Sequence, residues 1–498
     1  MLKNRGLSAH QQGGTIMTGN RTWQRYSSTY RAKEMKTLAG WIAAGENGSV
    51  VGLIGCGRTN LLGFLSYRPE ALQNYMPEQA GPVAIIPVDI YNLPANDLSS
   101  LYRTILHAFY WVRDRFASTL RETITHIYLE NRAEQDPFLP QRALYDLLLE
   151  FQNQQTSVVL VLNRFDRFCQ TATPQMLNTL RGLRDSFKDT LSYIVGMLQE
   201  VIYLPDPAAL GDMYELLDSH VCWVGAMTES DARQMLDGII QAASGSPTKA
   251  DINAMLALSG HFPILLKAIG QWWLSSSSGM AVSGDWLEQL LEEHNIQYRL
   301  ERMWNGLTQE EQLVLSEIQD LQVQVEQWRS AQSNTTESLP ESVRRSFQGL
   351  MAKQSYALAR LKAKGLCYQS EAGWFIAGEL LAAYVARVEG HVRGKIWLDE
   401  KTKNVYQGHE IIQNLTPLEY EILRFLIKNP RIKHTRDDVI DNAWSDDEQR
   451  EGITPNALQV HIASMRKKIE SNPAKPRYLI TWHGRPGGYQ FFPEGKPL

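Results

Sequence analysis

Short apolar segments alternate with longer helical ones between residues 50 and 166, and this alternation constrains the fold more than any other feature. The segments SVVGLIG, PVAIIPVDI and SVVLVLNRF are rich in β-branched residues, and the stretches between them have helical periodicity. Strands LSYIVGM at 191–197 and HVCWVGAM at 220–227 are predicted to follow. Such alternation predicts an α/β domain whose parallel sheet has helices on both faces.

The length and composition predict a soluble, multidomain protein. A chain of 498 residues is too long to fold around one hydrophobic core, so three or four domains are expected. Its apolar runs are shorter than the roughly 20 residues of a membrane span, and its start does not resemble a secretory signal. The four cysteines are not spaced like those of a zinc site or disulfide framework. We therefore expect a cytoplasmic protein with no membrane partner.

The first predicted strand leads into a glycine-rich loop, GLIGCGRT, that precedes the helix NLLGFL. This is the Walker A pattern of phosphate-binding P-loops with arginine in the lysine position. Its backbone N–H groups could surround phosphates, and Thr59 is the candidate Mg²⁺ ligand. The candidate nucleotide-binding residues of the loop are Gly52, Gly55, Cys56, Gly57, Arg58, Thr59 and Asn60. A glycine turn that binds no ligand is the alternative.

The strand VVLVLNRFDRF should supply the acidic pair that holds Mg²⁺ and activates water, but Asn163 and Arg164 stand at those positions. Asp166 follows three residues after Asn163, and both are candidate nucleotide contacts. Since both acids are missing, we expect nucleotide binding with weak hydrolysis or none.

Around these motifs the chain resembles a STAND or Orc-like AAA+ NTPase over residues 25–388. YRAKEMKTLAGWI contains Arg31 of the helix upstream of the loop, MTESDAR begins a helical lid, and GHFP places His261 and Pro263 at the lid turn. The resemblance implies that Arg31, His261 and Pro263 contact nucleotide, although a packed His261 is as plausible. The predicted organisation is a flexible tail at 1–24, an NTPase core at 25–228, a helical lid at 229–280, and a winged-helix module at 281–390 whose polar stretch near 330–342 is an exposed insertion.

The chain after residue 394 has a different order of elements. Strands KIWLDE, NVYQG and HEIIQNL precede helices beginning at Thr416, Thr435 and Thr454, and the hairpin segments RYLITWHG and GGYQFFP follow. Leu458, Ile462, Met465 and Ile469 recur at helical spacing, so they should face a core. Between Gly452 and Tyr489 six cations stand against one carboxylate, although the whole chain has a net charge of -4. Such a helix and hairpin suit the grooves of DNA.

Residues 394–498 resemble the winged-helix effector domain of bacterial OmpR/PhoB-type response regulators. LTPLEYEILRFLIKNP, TPNALQVHIASMRKKIE and PRYLITWHGRPGGYQF carry the resemblance, with Met465 where leucine is usual and a wing tip one residue longer. It implies a recognition helix at 454–470 and a wing at 479–492. The candidate DNA contacts are Thr435, Arg436, Thr454, Asn456, Gln459, Val460, His461, Ser464, Lys467, Lys468, Arg477, Thr481, His483, Arg485 and Tyr489. A winged helix that docks on protein is the alternative.

The sequence lacks a receiver domain with an acidic pocket, so another module must control the effector domain. Our hypothesis is a sequence-specific transcriptional regulator in which ATP or ADP, with Mg²⁺ as a possible companion, gates the C-terminal winged helix. Expected partners are double-stranded DNA with tandem half-sites, a second copy of the chain and RNA polymerase. The alternative is a signalling or defence STAND NTPase that oligomerises on a trigger and uses the winged helix for protein docking.

Overall fold

The computed structural model describes residues 23–242, 246–275, 286–331, 339–371, 373–389, 396–400, 402–407, 410–443, 455–470, 473, 476–484, 486–493 and 495. Most of the predicted tail and the centre of the predicted insertion lie outside the described residues. The chain divides into two compact units. The first ends at Gly306 and also contains Ala363–Leu366, while the second contains Leu307–Lys362 and Cys367–Leu498. The finer boundaries in the sequence prediction stay predictions.

A five-stranded parallel sheet forms the centre of the first unit. The strands are β1 (Gly48–Val51), β2 (Val83–Val88), β3 (Ser157–Leu162), β4 (Leu191–Met197) and β5 (Val221–Trp223). They lie in the order β2-β3-β4-β1-β5, and every neighbouring pair is parallel. The predicted α/β architecture is therefore confirmed. Since all five strands run the same way, the loops after their carboxyl ends meet at one edge, where ligands bind in such sheets.

Helices connect these strands and bury their apolar residues. They are α1 (Ala32–Ala43), α2 (Arg58–Tyr67), α3 (Pro69–Gln73), α4 (Leu98–Val112), α5 (Ser118–Asn131), α6 (Phe138–Asn153), α7 (Phe165–Cys169), α8 (Pro174–Ser186) and α9 (Met213–Asp218). Leu101, Ile105 and Phe109 of α4 recur at helical spacing and are fully buried in the core that contains the strands. This amphipathic spacing explains why α4 packs on β2.

Five more helices follow among the described residues of the first unit: α10 (Glu229–Ala242), α11 (Lys249–Ser259), α12 (Pro263–Ser275), α13 (Trp286–Glu292) and α14 (His294–Trp304). Helices α10, α11 and α12 pack on one another and are the predicted lid helices. Thr248 and Asp251 form a capping box at the start of α11, and Gly260 ends that helix in the left-handed conformation.

The second unit begins with α15 (Gln309–Ala331), α16 (Glu341–Lys353) and α17 (Ser355–Ala363). The hairpin β6 (Cys367–Ser370) and β7 (Gly373–Ile376) and the helix α18 (Glu379–Glu389) follow. The hairpin lies within the predicted winged-helix module at 281–390. The identification of these elements as a winged helix stays a prediction.

The described residues of the C-terminal part of the second unit form two antiparallel sheets and three helices. Strands β8 (Ile396–Asp399), β9 (Asn404–Gln407) and β10 (Glu410–Ile411) form one sheet, and helices α19 (Pro417–Lys428), α20 (Arg436–Ala443) and α21 (Pro455–Ile469) follow in sequence. The second sheet contains β11 (Lys433–Thr435), β12 (Leu479–Trp482) and β13 (Gly488–Phe491), in the order β11-β13-β12. The predicted strand, helix and hairpin order is confirmed. The sequence did not predict β11, which is only three residues long and pairs with β13.

Within the described ranges, we find no helix with the length and apolar character required to cross a bilayer.

Candidate functional site

The predicted P-loop (residues 52–59) joins β1 to α2. Gly55 and Gly57 have φ values of 82° and 91°, a conformation that favours glycine. Gly57 is the N-cap of α2, and no side chain caps this helix start. The first-turn N–H groups of such a helix need partners and attract anions. The loop therefore has the backbone geometry that phosphate binding requires.

The lid turn packs directly on the P-loop. The backbone N–H of Ile264 donates to the Gly55 carbonyl oxygen at 3.1 Å. A Cβ atom at Gly55 would lie 2.4 Å from the Ile264 Cβ, so only glycine fits at this contact. Ile264 follows Pro263, which the sequence predicted at the site. The contact fixes the start of α12 against the loop.

Arg31 forms a hydrogen bond to the backbone of the P-loop. Its side chain is 1% exposed and donates to the carbonyl oxygens of Cys56 at 2.7 Å and Ala226 at 3.1 Å. It also forms an ion pair with Glu34 at 3.1 Å. A guanidinium has several donors in a fixed plane, so it can bridge these groups together. This geometry favours a positioning role for Arg31 over direct contact with a ligand.

A cavity of about 550 Å³ opens beside the P-loop in the first unit. The predicted residues that line it are Gly55, Cys56, Gly57, Arg58, Thr59, Asn60, Asp166 and Pro263. The predicted residues outside its lining are Arg31, Gly52, Asn163 and His261. His261 has a positive φ of 60°, and its carbonyl oxygen accepts the Met227 N–H at 3.0 Å, so its backbone supports the lid turn.

The lining of this cavity is strongly cationic. Among the described lining residues, five cations stand against the single carboxylate of Asp166. The cations are Arg58, Arg164, Arg167, Lys267 and Arg302. Arg58 is buried, whereas the other four are exposed. A cavity with such a surplus of one sign concentrates ions of the opposite sign.

Two buried charged groups in the cavity have unused hydrogen-bonding atoms. Arg58 is 8% exposed, and its Nε and Nη1 have no hydrogen-bond partner. Asp166 is 6% exposed, and its Oδ1 also has none. Burial lowers the pKa of Arg58 and raises the pKa of Asp166, while the attraction between the two charges opposes both shifts. Buried donors of this kind are normally satisfied, so Arg58 indicates an anionic ligand.

The end of β3 offers a poor donor set for Mg²⁺. Asn163 Nδ2 donates to Thr59 Oγ1 at 3.2 Å, and Asn163 Oδ1 accepts the Arg164 N–H at 3.0 Å. Asp89 lines a neighbouring cavity of about 350 Å³ with Thr59 and Asn163, but it already accepts a bond from Asn92 at 2.7 Å. The described residues contain no group of three or more acidic, histidine or cysteine side chains placed to hold a metal. Because Mg²⁺ prefers carboxylate and phosphate oxygens, the side chains here do not fit it.

The recognition helix α21 has one buried and one exposed face. Leu458, Ile462, Met465 and Ile469 are at most 2% exposed, which confirms the predicted apolar face. The exposed face carries Gln459, Val460, Ala463 and Lys467, and Val460 is 67% exposed. His461 and Ser464 are half-buried beside it. Thr454 and the side chain of Asn456 lie outside the described residues.

Two cations of α21 form bonds within the domain. Lys468 Nζ contacts the buried Glu419 carboxylate at 2.5 Å and donates to the Asn414 carbonyl oxygen at 2.7 Å. Burial alone would raise the pKa of Glu419, but hydrogen bonds from Lys468, Ser464 and Thr416 lower it to about 2. Arg466 donates to the Leu479 carbonyl oxygen at 2.7 and 2.9 Å. These bonds fix α21 against α19 and β12, so Lys467 is better placed than Lys468 to contact a phosphate.

The remaining predicted DNA contacts lie around α20 and the hairpin. Thr435 and Asp438 cap α20 reciprocally, with bonds of 2.8 and 3.0 Å, and Arg436 is its first residue. Thr481 accepts a bond from Arg466 at 2.8 Å, and Tyr489 is buried in β13. His483 is exposed after β12, and the Arg477 backbone N–H donates to Glu470 at 2.8 Å. Arg485 lies outside the described residues.

Sequence reasoning missed three of the cavity cations. Arg167 follows Asp166 and could have been noticed with it, and Lys267 lies one helical turn after Pro263. Arg302 is far from every motif, so nothing in the sequence connects it to the P-loop. Tertiary packing alone brings it to the cavity.

Residues 409–491 match the family model described as "Transcriptional regulatory protein, C terminal". A probable transcriptional regulatory protein of Picosynechococcus is 35% identical over 92 residues, which are 18% of this chain and 34% of the relative. The alkaline phosphatase synthesis transcriptional regulatory protein SphR of Synechococcus elongatus is 36% identical over 70 residues, covering 14% of this chain and 26% of SphR. The chain thus spans about a third or less of the length of these two relatives.

A Walker-type ATPase of Pyrococcus abyssi is a solved structure similar to this chain. It is 16% identical with a TM-score of 0.39, and the likeness covers 72% of this chain and 95% of the ATPase. The fold assignment of the first unit rests instead on its own parallel sheet and on the glycine loop between β1 and α2. The first unit has a P-loop NTPase fold, and residues 409–491 are similar to the C-terminal winged-helix domains of transcriptional regulatory proteins.

Proposed function

We propose that this protein is a sequence-specific DNA-binding transcriptional regulator whose recognition helix is α21. The observation that carries this proposal is the exposed face of α21, which includes Gln459, Val460 and Lys467, in a domain that matches transcriptional regulators. A buried apolar face fixes the helix, so its polar face stays free for the major groove.

The side chains on this face suit distinct parts of DNA. The Gln459 amide can donate to and accept from an adenine edge, and the Val460 methyl groups can contact a thymine methyl group. Lys467 is exposed near the end of α21, where it can contact a phosphate. Gln459 and Val460 would therefore select sequence, while Lys467 would add affinity for any duplex.

Replacing Lys467 with alanine tests this assignment. Loss of one phosphate contact should weaken binding to all duplexes and reduce the slope of log affinity against log salt by about 1. Fluorescence anisotropy with labelled duplexes over a salt series measures both quantities. The control is Arg424→Ala, since Arg424 is an exposed cation of the same domain that pairs with Glu421 on α19. Equal effects of the two substitutions would contradict the assignment to α21.

The P-loop unit is proposed to act as a STAND-like nucleotide switch for this DNA-binding domain. ATP or ADP shifts a conformational equilibrium only by the difference in its affinity for the two states. By linkage, nucleotide must change DNA affinity by the same factor by which DNA changes nucleotide affinity. Asn163 and Arg164 replace the usual acids, so turnover should be slow. Titration measures the DNA affinity with and without nucleotide, and the nucleotide affinity with and without DNA. If neither affinity changes, the switch is refuted.

The chain is expected to act in the cytoplasm, to bind tandem half-sites as paired copies and to contact RNA polymerase. Selection of bound genomic fragments, with and without ATP, would show the half-sites and their spacing. Enrichment of tandem sites about one helical turn apart is the expected result. Nucleotide-dependent oligomerisation without any enriched sequence would favour the protein-docking alternative instead.

A further inference from the structure

We infer that the cavity beside the P-loop binds the polyphosphate of a nucleotide without a divalent metal, with side-chain cations in place of the metal. This inference rests on the proposed nucleotide-binding function. It deepens that function by naming the ionic form of the ligand, which is the free polyphosphate anion.

The charge of the cavity matches that form. Five cations and one carboxylate leave a formal surplus of four positive charges. Fully ionised ATP carries about four negative charges, whereas its Mg²⁺ complex carries about two fewer, so the free anion gains more from this field. The same cations repel a divalent cation.

Arg58 provides the second observation. Arg58 is 8% exposed at the start of α2, and two of its guanidinium nitrogens have no partner. The unpaired N–H groups of Arg58 and the first-turn backbone N–H groups of α2 belong to the same short segment. An arginine fork can bind two oxygens of one phosphate, which a lysine cannot do in the same geometry. The substitution in the Walker A pattern therefore suits metal-free phosphate binding.

The third observation concerns Asn163, which stands at the end of β3 where P-loop NTPases usually have the acidic residue that holds Mg²⁺. The Asn163 amide carries no charge, and it donates to the Thr59 hydroxyl that would otherwise be a Mg²⁺ ligand. A carboxylate at position 163 would attract a metal, whereas this amide satisfies Thr59 directly. Asn163 and Thr59 thus form a neutral pair beside the cationic cavity.

Calorimetric titration of the full-length protein, in EDTA and in excess Mg²⁺, tests the inference. The probes are ATP, ADP, AMP and inorganic tripolyphosphate. We expect ATP to bind in EDTA at least as tightly as in Mg²⁺, with affinity falling from ATP to ADP to AMP. Tripolyphosphate has the phosphate chain of ATP but no nucleoside. If tripolyphosphate binds more weakly than ATP, the ligand is a nucleotide. Equal binding of the two rejects recognition of the nucleoside.

Variants separate the contribution of each group. Arg58→Ala should reduce ATP affinity in EDTA by about ten- to a hundredfold, because two charge-assisted hydrogen bonds are lost. Lys267→Ala and Arg167→Ala remove exposed cations, so the protein should fold normally and bind ATP several-fold more weakly. Arg142→Ala is the matched control, since Arg142 is exposed on α6 and pairs with Asp146. Asn163→Asp should weaken binding in EDTA and make it respond to Mg²⁺.

Three results would overturn the inference, and each has a different meaning. Binding of ATP only in Mg²⁺ would overturn the metal-free mechanism and leave the proposed nucleotide function intact. Absence of binding in both conditions would overturn the nucleotide function as well. Unchanged affinity in the Arg58, Lys267 and Arg167 variants would exclude this cavity as the phosphate site.

Discussion

Replacing Glu419 with glutamine should destabilise the C-terminal domain at neutral pH and have little effect in acid. Glu419 caps α19 through Thr416 and binds Lys468 of α21, so one carboxylate connects two helices. Its side chain is 1% exposed, which limits screening by solvent. The variant keeps the shape of the side chain, removes its charge and replaces one acceptor oxygen with an amide NH₂ group.

The magnitude follows from the pKa of this carboxyl. Its pKa falls from an ordinary 4.5 to about 2 in the folded protein. At 1.36 kcal/mol for each pH unit, this lowering corresponds to about 3 kcal/mol of folding free energy. A group whose pKa is depressed on folding contributes its stability above the unfolded pKa. The contribution should therefore be complete above about pH 5 and disappear as the pH falls to about 2.

Hydrogen exchange of α19 and α21 peptides in the full-length protein measures this local free energy of opening. We expect the difference between the wild type and Glu419→Gln to stay constant from pH 7 to about pH 5 and to shrink between pH 5 and pH 3. Other groups that titrate in this range cancel in the difference. Glu421→Gln on the exposed face of α19 is the control, since its surface pair with Arg424 should contribute less than about 1 kcal/mol. A wild-type advantage that is constant from pH 7 to pH 3 would refute the reasoning.

Three further substitutions test contacts in the two units. Gly55→Ala should lower the melting temperature through strain of about 1–3 kcal/mol, because its Cβ would collide with Ile264 at a positive φ. The control is Gly40→Ala, which has open space on an exposed turn of α1 and should be neutral or stabilising. A lower melting temperature for Gly40→Ala than for Gly55→Ala would contradict this packing. Arg31→Lys should accelerate hydrogen exchange in the P-loop and weaken ATP binding without changing the preference for free ATP over its Mg²⁺ complex, whereas unaltered exchange would argue against a positioning role. Arg466→Met should lower the free energy of opening of β12 by about 1.5–3 kcal/mol, because the Leu479 carbonyl loses a charged donor, and equal exchange in both proteins would disprove that link.

Local sequence patterns were sufficient to predict the strands of the parallel sheet, the P-loop and the apolar face of α21. Each of these depends on residues that are close together in the chain. Strand β4 was predicted at its observed bounds from the short apolar run LSYIVGM. The structure buries all seven of its residues, as expected for a central parallel strand with both faces covered. The start of α19 at Thr416 was likewise predicted, and Thr416 and Glu419 form a capping box there, which needs only a spacing of three residues.

Only the tertiary structure decided which charges face a common cavity and which are already paired. Arg167, Lys267 and Arg302 lie on three different elements, and the folding of the sheet and the lid helices brings them to the P-loop. Lys467 and Lys468 are adjacent and chemically identical, yet Lys467 is exposed while Lys468 binds Glu419, 49 residues away. Helical periodicity places neighbours about 100° apart around α21, but the partner of each depends on packing between distant segments.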